Sequence, residues 1–181
     1  NSFRTYYHDP AAPLSLSHDE LRCIYEDSRG VLWIGTNGGG LNRLDDRDAG
    51  LFTGYSNVPG DPSSLSNDFV RVIFEDRFGR FWIGTQGGGL NLMDRETGEF
   101  ISYRNDPGDP GSLGSNLTGH MVMDDSGYMW VGTDSGVDVF DPGEDRFHHF
   151  RHVNGDPTTL SSNAVWAMHR GRDGCIWVGT L

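Results

Sequence analysis

Apolar, β-branched and aromatic residues recur along the chain in short runs, each closed by a cluster of glycine, aspartate, asparagine or proline. Val70-Arg-Val-Ile-Phe-Glu75 reads as a strand, and Asp76-Arg-Phe-Gly79 as a turn in which glycine supplies positive φ. Arg80-Phe-Trp-Ile-Gly-Thr85 follows as a second strand, Gln86-Gly-Gly-Gly89 as a turn and Leu90-Asn-Leu-Met93 as a third strand. The turn Asp94-Arg-Glu-Thr-Gly98 leads to a fourth strand, Phe100-Ile-Ser-Tyr103. The next loop, 105–112, is too rich in proline and glycine for regular structure. No segment reads as a helix.

This unit repeats. The string Trp-(Ile/Val)-Gly-Thr begins at Trp33, Trp82, Trp130 and Trp177, at intervals of 49, 48 and 47 residues. Thirty residues before each tryptophan stands Phe3, Phe52, Phe100 or Phe147, and the interval changes only after the tryptophan. Four short antiparallel strands at a period of 47–49 residues predict an all-β protein built of β-propeller blades. A single thin sheet with two apolar faces is unstable alone, and stacking around an axis buries both faces. Trp33, Trp82, Trp130 and Trp177 are therefore expected in the core between blades.

Strand counting predicts a partial propeller of about four blades. The units are roughly 3–51, 52–99, 100–146 and an incomplete 147–181, and residues 1–181 are expected to be a fragment of a larger propeller. Phe3–Tyr7 reads as a fourth strand left over from a preceding blade.

Composition narrows the functional classes. Apolar residues make up 35% and aromatics 12%, enough buried surface to exclude disorder as the main state. The 14 basic residues, all arginine, face 26 acidic ones, and a net charge of −12 argues against a nucleic-acid partner. Cys23 and Cys175 show no metal-ligand spacing, and they can pair only if the fold brings their strands together. The Asp-Pro loops lack calcium-loop spacing, so neither a metal nor a cofactor is expected. The chain begins at Asn1 and shows no charged-then-apolar leader.

The motif Glu75-Asp76-x-x-Gly79-x-Phe-Trp82-Ile-Gly-Thr85-x-Gly-Gly-Gly-Leu90-Asn91, with the linker Asn105-Asp-Pro-x-Asp-Pro-x-Ser-Leu113, resembles the two-component regulator propeller repeat. Copies three and four depart locally: Met123 and Arg170 replace Glu26 and Glu75, and Asp134-Ser135-Gly136 is one residue shorter than the triple glycine. The resemblance implies the periplasmic sensor region of a bacterial inner-membrane signalling protein. Its output domain, a histidine kinase or diguanylate cyclase, would lie elsewhere in the parent, and this segment is expected not to be an enzyme. The implied partners are a small ligand such as an oligosaccharide, the remaining blades, downstream sensor domains of the same polypeptide and a second copy in a homodimer.

Candidate ligand contacts follow from strand direction. The inter-blade linker and the turn between second and third strands share one end of each blade, and loops on a rigid scaffold are a usual place for recognition. Asn37, Gln86 and Asp134 follow the threonine of successive second strands at that end. Eleven residues before each motif tryptophan stand Arg22, Arg71, Gly119 and Trp166, near the start of the innermost strand. Arginine forks beside an indole face suit an anionic sugar, and His120 lies one residue further on. The simpler alternative is that the arginines pair with acidic neighbours and Trp166 fills a gap. An enzyme (a lyase or hydrolase) and a protein-interaction scaffold are the competing classes, but no nucleophile or metalloprotease signature appears.

Overall fold

The computed structural model describes residues 3–181 and contains fourteen strands and no helix. Blade 1 comprises β1 (Leu21–Glu26), β2 (Leu32–Thr36), β3 (Leu41–Asp46) and β4 (Leu51–Tyr55). Blade 2 comprises β5 (Val70–Glu75), β6 (Phe81–Thr85), β7 (Leu90–Met93) and β8 (Phe100–Tyr103). Blade 3 comprises β9 (Thr118–Met123), β10 (Met129–Thr133), β11 (Gly136–Asp141) and β12 (Arg146–Phe150). β13 (Val165–Arg170) and β14 (Ile176–Thr180) form a two-stranded partial blade 4. Each sheet is an antiparallel meander in chain order. Phe3–Tyr7, expected as a strand, pairs with no sheet: Phe3 is fully exposed, and Tyr6 instead packs edge-on against Phe52 at 5.5 Å.

The first strands of successive blades touch: β1 meets β5, β5 meets β9, and β9 meets β13. They are the innermost strands of a radial stack. A core of Trp33, Leu65, Val70, Phe81, Met93 and Phe100 joins blades 1 and 2, and a second, including Trp82, Leu113, Met121, Val131, Phe140 and Phe147, joins blades 2 and 3. Trp33 and Trp82 are fully enclosed, and Trp130 is half-buried and stacked on Phe150 at 5.4 Å. Trp177 departs from its expected core position: it is 64% exposed, because no described strand packs on its outer face.

The glycines of the first three Trp-x-Gly-Thr strings, Gly35, Gly84 and Gly132, are points of close approach between blades. A Cβ on Gly84 would lie 2.6 Å from Thr118 Oγ1 on the next inner strand and 2.6 Å from Val72 Cγ1 on its own blade. Gly84→Ala is therefore expected to cost about 1–3 kcal/mol as overpacking, read as a lowered urea midpoint at unchanged slope. Alanine at Gly54, where a Cβ meets open space, is the control.

An aspartate six residues before each enclosed tryptophan closes the first turn. Asp27 Oδ2 accepts the Trp33 indole N–H at 2.9 Å, and its Oδ1 accepts the amides of Arg29 and Val31. Asp76 and Asp124 do the same for Trp82 and Trp130, at 3.1 and 2.9 Å. Copy four has Gly171 at this position. Blades 1 and 2 are further tied by Arg95, which reaches Asp27 at 2.8 Å and Glu75 at 2.7 Å, all three nearly solvent-free.

The linkers are closed by their own side chains. Asp19, Asp68, Asn116 and Asn163 each accept, through Oδ1, the backbone N–H of a residue eleven positions earlier, at 2.6–2.8 Å. These Asx positions satisfy loop donors. Cys23 and Cys175 are free thiols, and burial pushes Cys23 up to about 11.

Candidate functional site

Every inner strand carries a β-bulge, always at the same repeat position. Pairing of β1 with β2 skips from Leu21 to Cys23, which leaves Arg22 unpaired. Arg71 is skipped in β5, Gly119 in β9 and Trp166 in β13. A bulge lifts one residue out of the ladder and re-aims its side chain. The scaffold is thus constant at this position while the side chains differ: arginine twice, glycine, then tryptophan.

The two arginines have different surroundings. Arg22 donates through Nε to Asn37 Oδ1 at 3.0 Å and pairs with Glu20 at 3.2 Å. Arg71 donates to Gln86 Oε1 at 3.0 Å, and no ion pair engages it among the described residues. Phe69 stands in blade 2 where Glu20 stands in blade 1, so the neutralising carboxylate is missing. Asn37 and Gln86 thus act first as partners of the arginines in their own blades.

Copy three opens the site. In blades 1 and 2 the second turn reaches the following blade through the isolated bridges Asn37–Phe69 and Gln86–Leu117. Amides of Gly38 and Gly40 donate to Asp68 O, and those of Gly87 and Gly89 donate to Asn116 O. This turn needs glycine: a Cβ on Gly89, at φ 79°, would lie 2.3 Å from Tyr103 O. In blade 3 the shortened turn closes directly, with Thr133 paired to Gly136, and Asp134 has no such bridge to blade 4 among the described residues.

A cleft of about 390 Å³ lies there, bordered by Arg71, Gly119, His120, Thr133, Asp134 and Trp166. Four of the seven expected ligand residues (Arg71, His120, Asp134 and Trp166) thus meet in one cleft contributed by three blades, while Arg22 and Asn37 stand apart on blade 1. Gly119 went unrecognised as the feature that makes room: a Cβ there would meet only Gly132 O at 3.9 Å. Trp166 is 64% exposed, so an indole face is available. Burial and, less strongly, the Arg71 charge hold His120 below the usual imidazole range, against an opposing pull from the Trp166 backbone. It is neutral at pH 7.

Other concavities read differently. A cleft of about 570 Å³ along Leu92, Phe100 and Ile101 draws only on blade 2 and the linker before it. A groove of about 560 Å³ between Trp130, Phe150 and Val178 lies where, between blades 1 and 2, Met93 and Phe100 of the following blade fill the space. Asp141, Glu144 and His148 converge on the blade 3 rim, a grouping that surface acidic residues form without an ion.

Radially stacked four-stranded sheets, with a polar cleft at the bulged inner strands, define an open, partial β-propeller. The sequence model of the two component regulator propeller family matches residues 15–38, 64–87 and 159–181, one segment in each of copies one, two and four. Copy three, which opens the cleft, lies outside the matched segments. The extracellular domain assigned to a hybrid two component system of B. thetaiotaomicron is 27% identical, with a TM-score of 0.79 over 92% of this chain and 23% of the other. A second such domain from B. thetaiotaomicron is 28% identical, with a TM-score of 0.74 over 97% and 24%. The chain therefore spans about a quarter of the length of these structures. Virginiamycin B lyase from Staphylococcus aureus, 14% identical with a TM-score of 0.59 over 87% and 48%, shares the fold alone. No curated protein matches the chain. No helix of the described residues is long and apolar enough to cross a membrane.

Proposed function

We propose that this chain is a ligand-sensing segment of an extracytoplasmic signalling receptor, and that it detects an oligosaccharide. The observation that carries this reading is the constant bulge on a repeated scaffold, which brings Arg71, Gly119 and Trp166 of three successive blades to one cleft. Its likeness to extracellular domains of hybrid two component systems supports a sensor in a two-component pathway. In this reading the 181 residues are part of a larger propeller, further blades cover the open groove at Trp130, and the parent is anchored in the inner membrane. Kinase or cyclase chemistry belongs to other parts of that parent, and the receptor works as a homodimer.

A sensor binds without turnover. A thermal-shift screen of the protein against an oligosaccharide library, with chromatographic analysis of each incubated glycan, is expected to yield stabilising glycans recovered intact. Recovery of cleaved or eliminated products would favour the lyase or hydrolase class, with neutral His120 as a base. Stabilisation by no glycan in the library would contradict oligosaccharide sensing.

A further inference from the structure

We infer that the Arg71–Trp166 cleft selects a carboxylated pyranose, a uronate residue of an oligosaccharide, by pairing the sugar carboxylate with the Arg71 guanidinium while the ring lies against Trp166. This rests on the sensor reading above and adds the chemical class of its ligand.

The asymmetry between the two bulged arginines carries the inference. Arg22 has Glu20 within 3.2 Å and already holds an anion. Arg71 spends one N–H on Gln86, a neutral acceptor, and the remaining edge of its fork has no acidic partner among the described residues. Arg47, Arg77, Arg104, Arg146 and Arg172 also show no ion pair among the described residues, but of these unpaired arginines Arg71 is the one that borders the cleft with Trp166. A planar guanidinium matches a carboxylate in a two-point, charge-assisted geometry.

The rest of the cleft suits a sugar ring. Trp166 presents an exposed indole one inner strand beyond Gly119, and Gly119 leaves the space between it and Arg71 open. A pyranose carries a CH face that packs on an aromatic surface and hydroxyls that need polar partners. Asp134, exposed on its tight turn, can accept from sugar hydroxyls, and neutral His120 adds no second positive charge. The ligand is thereby bound through one carboxylate rather than several anionic groups.

Calorimetric titration tests this with trisaccharides of galacturonate, glucuronate and mannuronate, each as the free acid and as its neutral methyl ester. At least one acid is expected to bind, with its ester weakened tenfold or more and with affinity falling as salt rises. Arg71→Gln should weaken the acid tenfold or more and leave the ester unchanged, whereas Arg71→Lys should recover part of the loss. Gly119→Trp should abolish binding at an unaltered melting temperature, since the added side chain enters open space. Arg22→Gln, outside the cleft, should have no effect. Equal binding of acid and ester, or an Arg71→Gln variant with wild-type affinity, would overturn the uronate inference and leave oligosaccharide sensing intact. Binding of neutral library glycans without any uronate would do the same. If no glycan of either kind binds, both readings fall.

Discussion

Trp82→Ala is expected to lower stability by about 3–5 kcal/mol, while Trp177→Ala changes it by less than about 0.5 kcal/mol. The two residues occupy the same place in the repeat and differ in what lies over them. Trp82 is wholly enclosed, with Phe140 at 5.4 Å and Tyr103 at 5.8 Å between ring centroids. Truncation removes that packing, opens a cavity between blades 2 and 3, and takes the indole donor from Asp76. Trp177 is mostly exposed and has no aspartate six residues before it. Urea unfolding followed by circular dichroism measures both. Similar losses at the two positions would mean that the inter-blade packing described here does not hold the stack together.

Arg95→Met is expected to cost about 3–5 kcal/mol near neutral pH, because it strands two buried carboxylates. Asp27 and Glu75 lie in the seam between blades 1 and 2, and the Arg95 guanidinium bridges them while covering the Phe81 ring at 4.9 Å. Burial pushes both carboxyl groups upward. At Asp27 the Trp33 indole, the Val31 and Arg29 amides and Arg95 outweigh it, and at Glu75 Ser28 and Arg95 do so. Both groups therefore sit below their ordinary range. A lowered folded-state pKa gives stability that is present above the unfolded value, about 4, and is lost as pH falls through the folded one. Without Arg95 both carboxyls rise, so the penalty of the substitution should shrink as pH drops from 7 toward 3.5. Unfolding curves of both proteins across that range check this, and a penalty independent of pH would show that the bridge is not ionic.

Most of the blade was readable because its period is written in large, scarce residues. A tryptophan every 47–49 residues, with a phenylalanine thirty positions earlier, fixes the register, and β5, β7 and β8 run between the residues that alternation and turn chemistry indicate. The failures have local causes. Phe3–Tyr7 has strand composition but no neighbouring strand among the described residues, and strand propensity alone forms no ladder. Trp177 has a core residue's motif but is not covered by another blade among the described residues.

The candidate site was legible as a register position but not as a shape. Arg22, Arg71, Gly119 and Trp166 align by counting, yet bulges leave no mark in the composition of strands such as Leu21–Glu26. The one-residue deletion at Asp134-Ser135-Gly136 is visible in the sequence as a local departure of copy three. It also removes the bridge that the longer turns make to the next blade, and the cleft lies there. The Glu20-to-Phe69 change, which leaves Arg71 without an ion pair among the described residues, was equally readable but becomes meaningful only once Arg22 is seen to hold Glu20.

Amide hydrogen exchange with and without a saturating uronate trisaccharide tests most directly whether recognition occurs at the bulged inner strands. New protection is expected at residues 70–72, 117–120, 133–135 and 164–167 alone, the strand starts and turn around the cleft. Protection appearing instead along the outer strands, at 100–103 and 146–150, with the inner strands unchanged, would contradict recognition there.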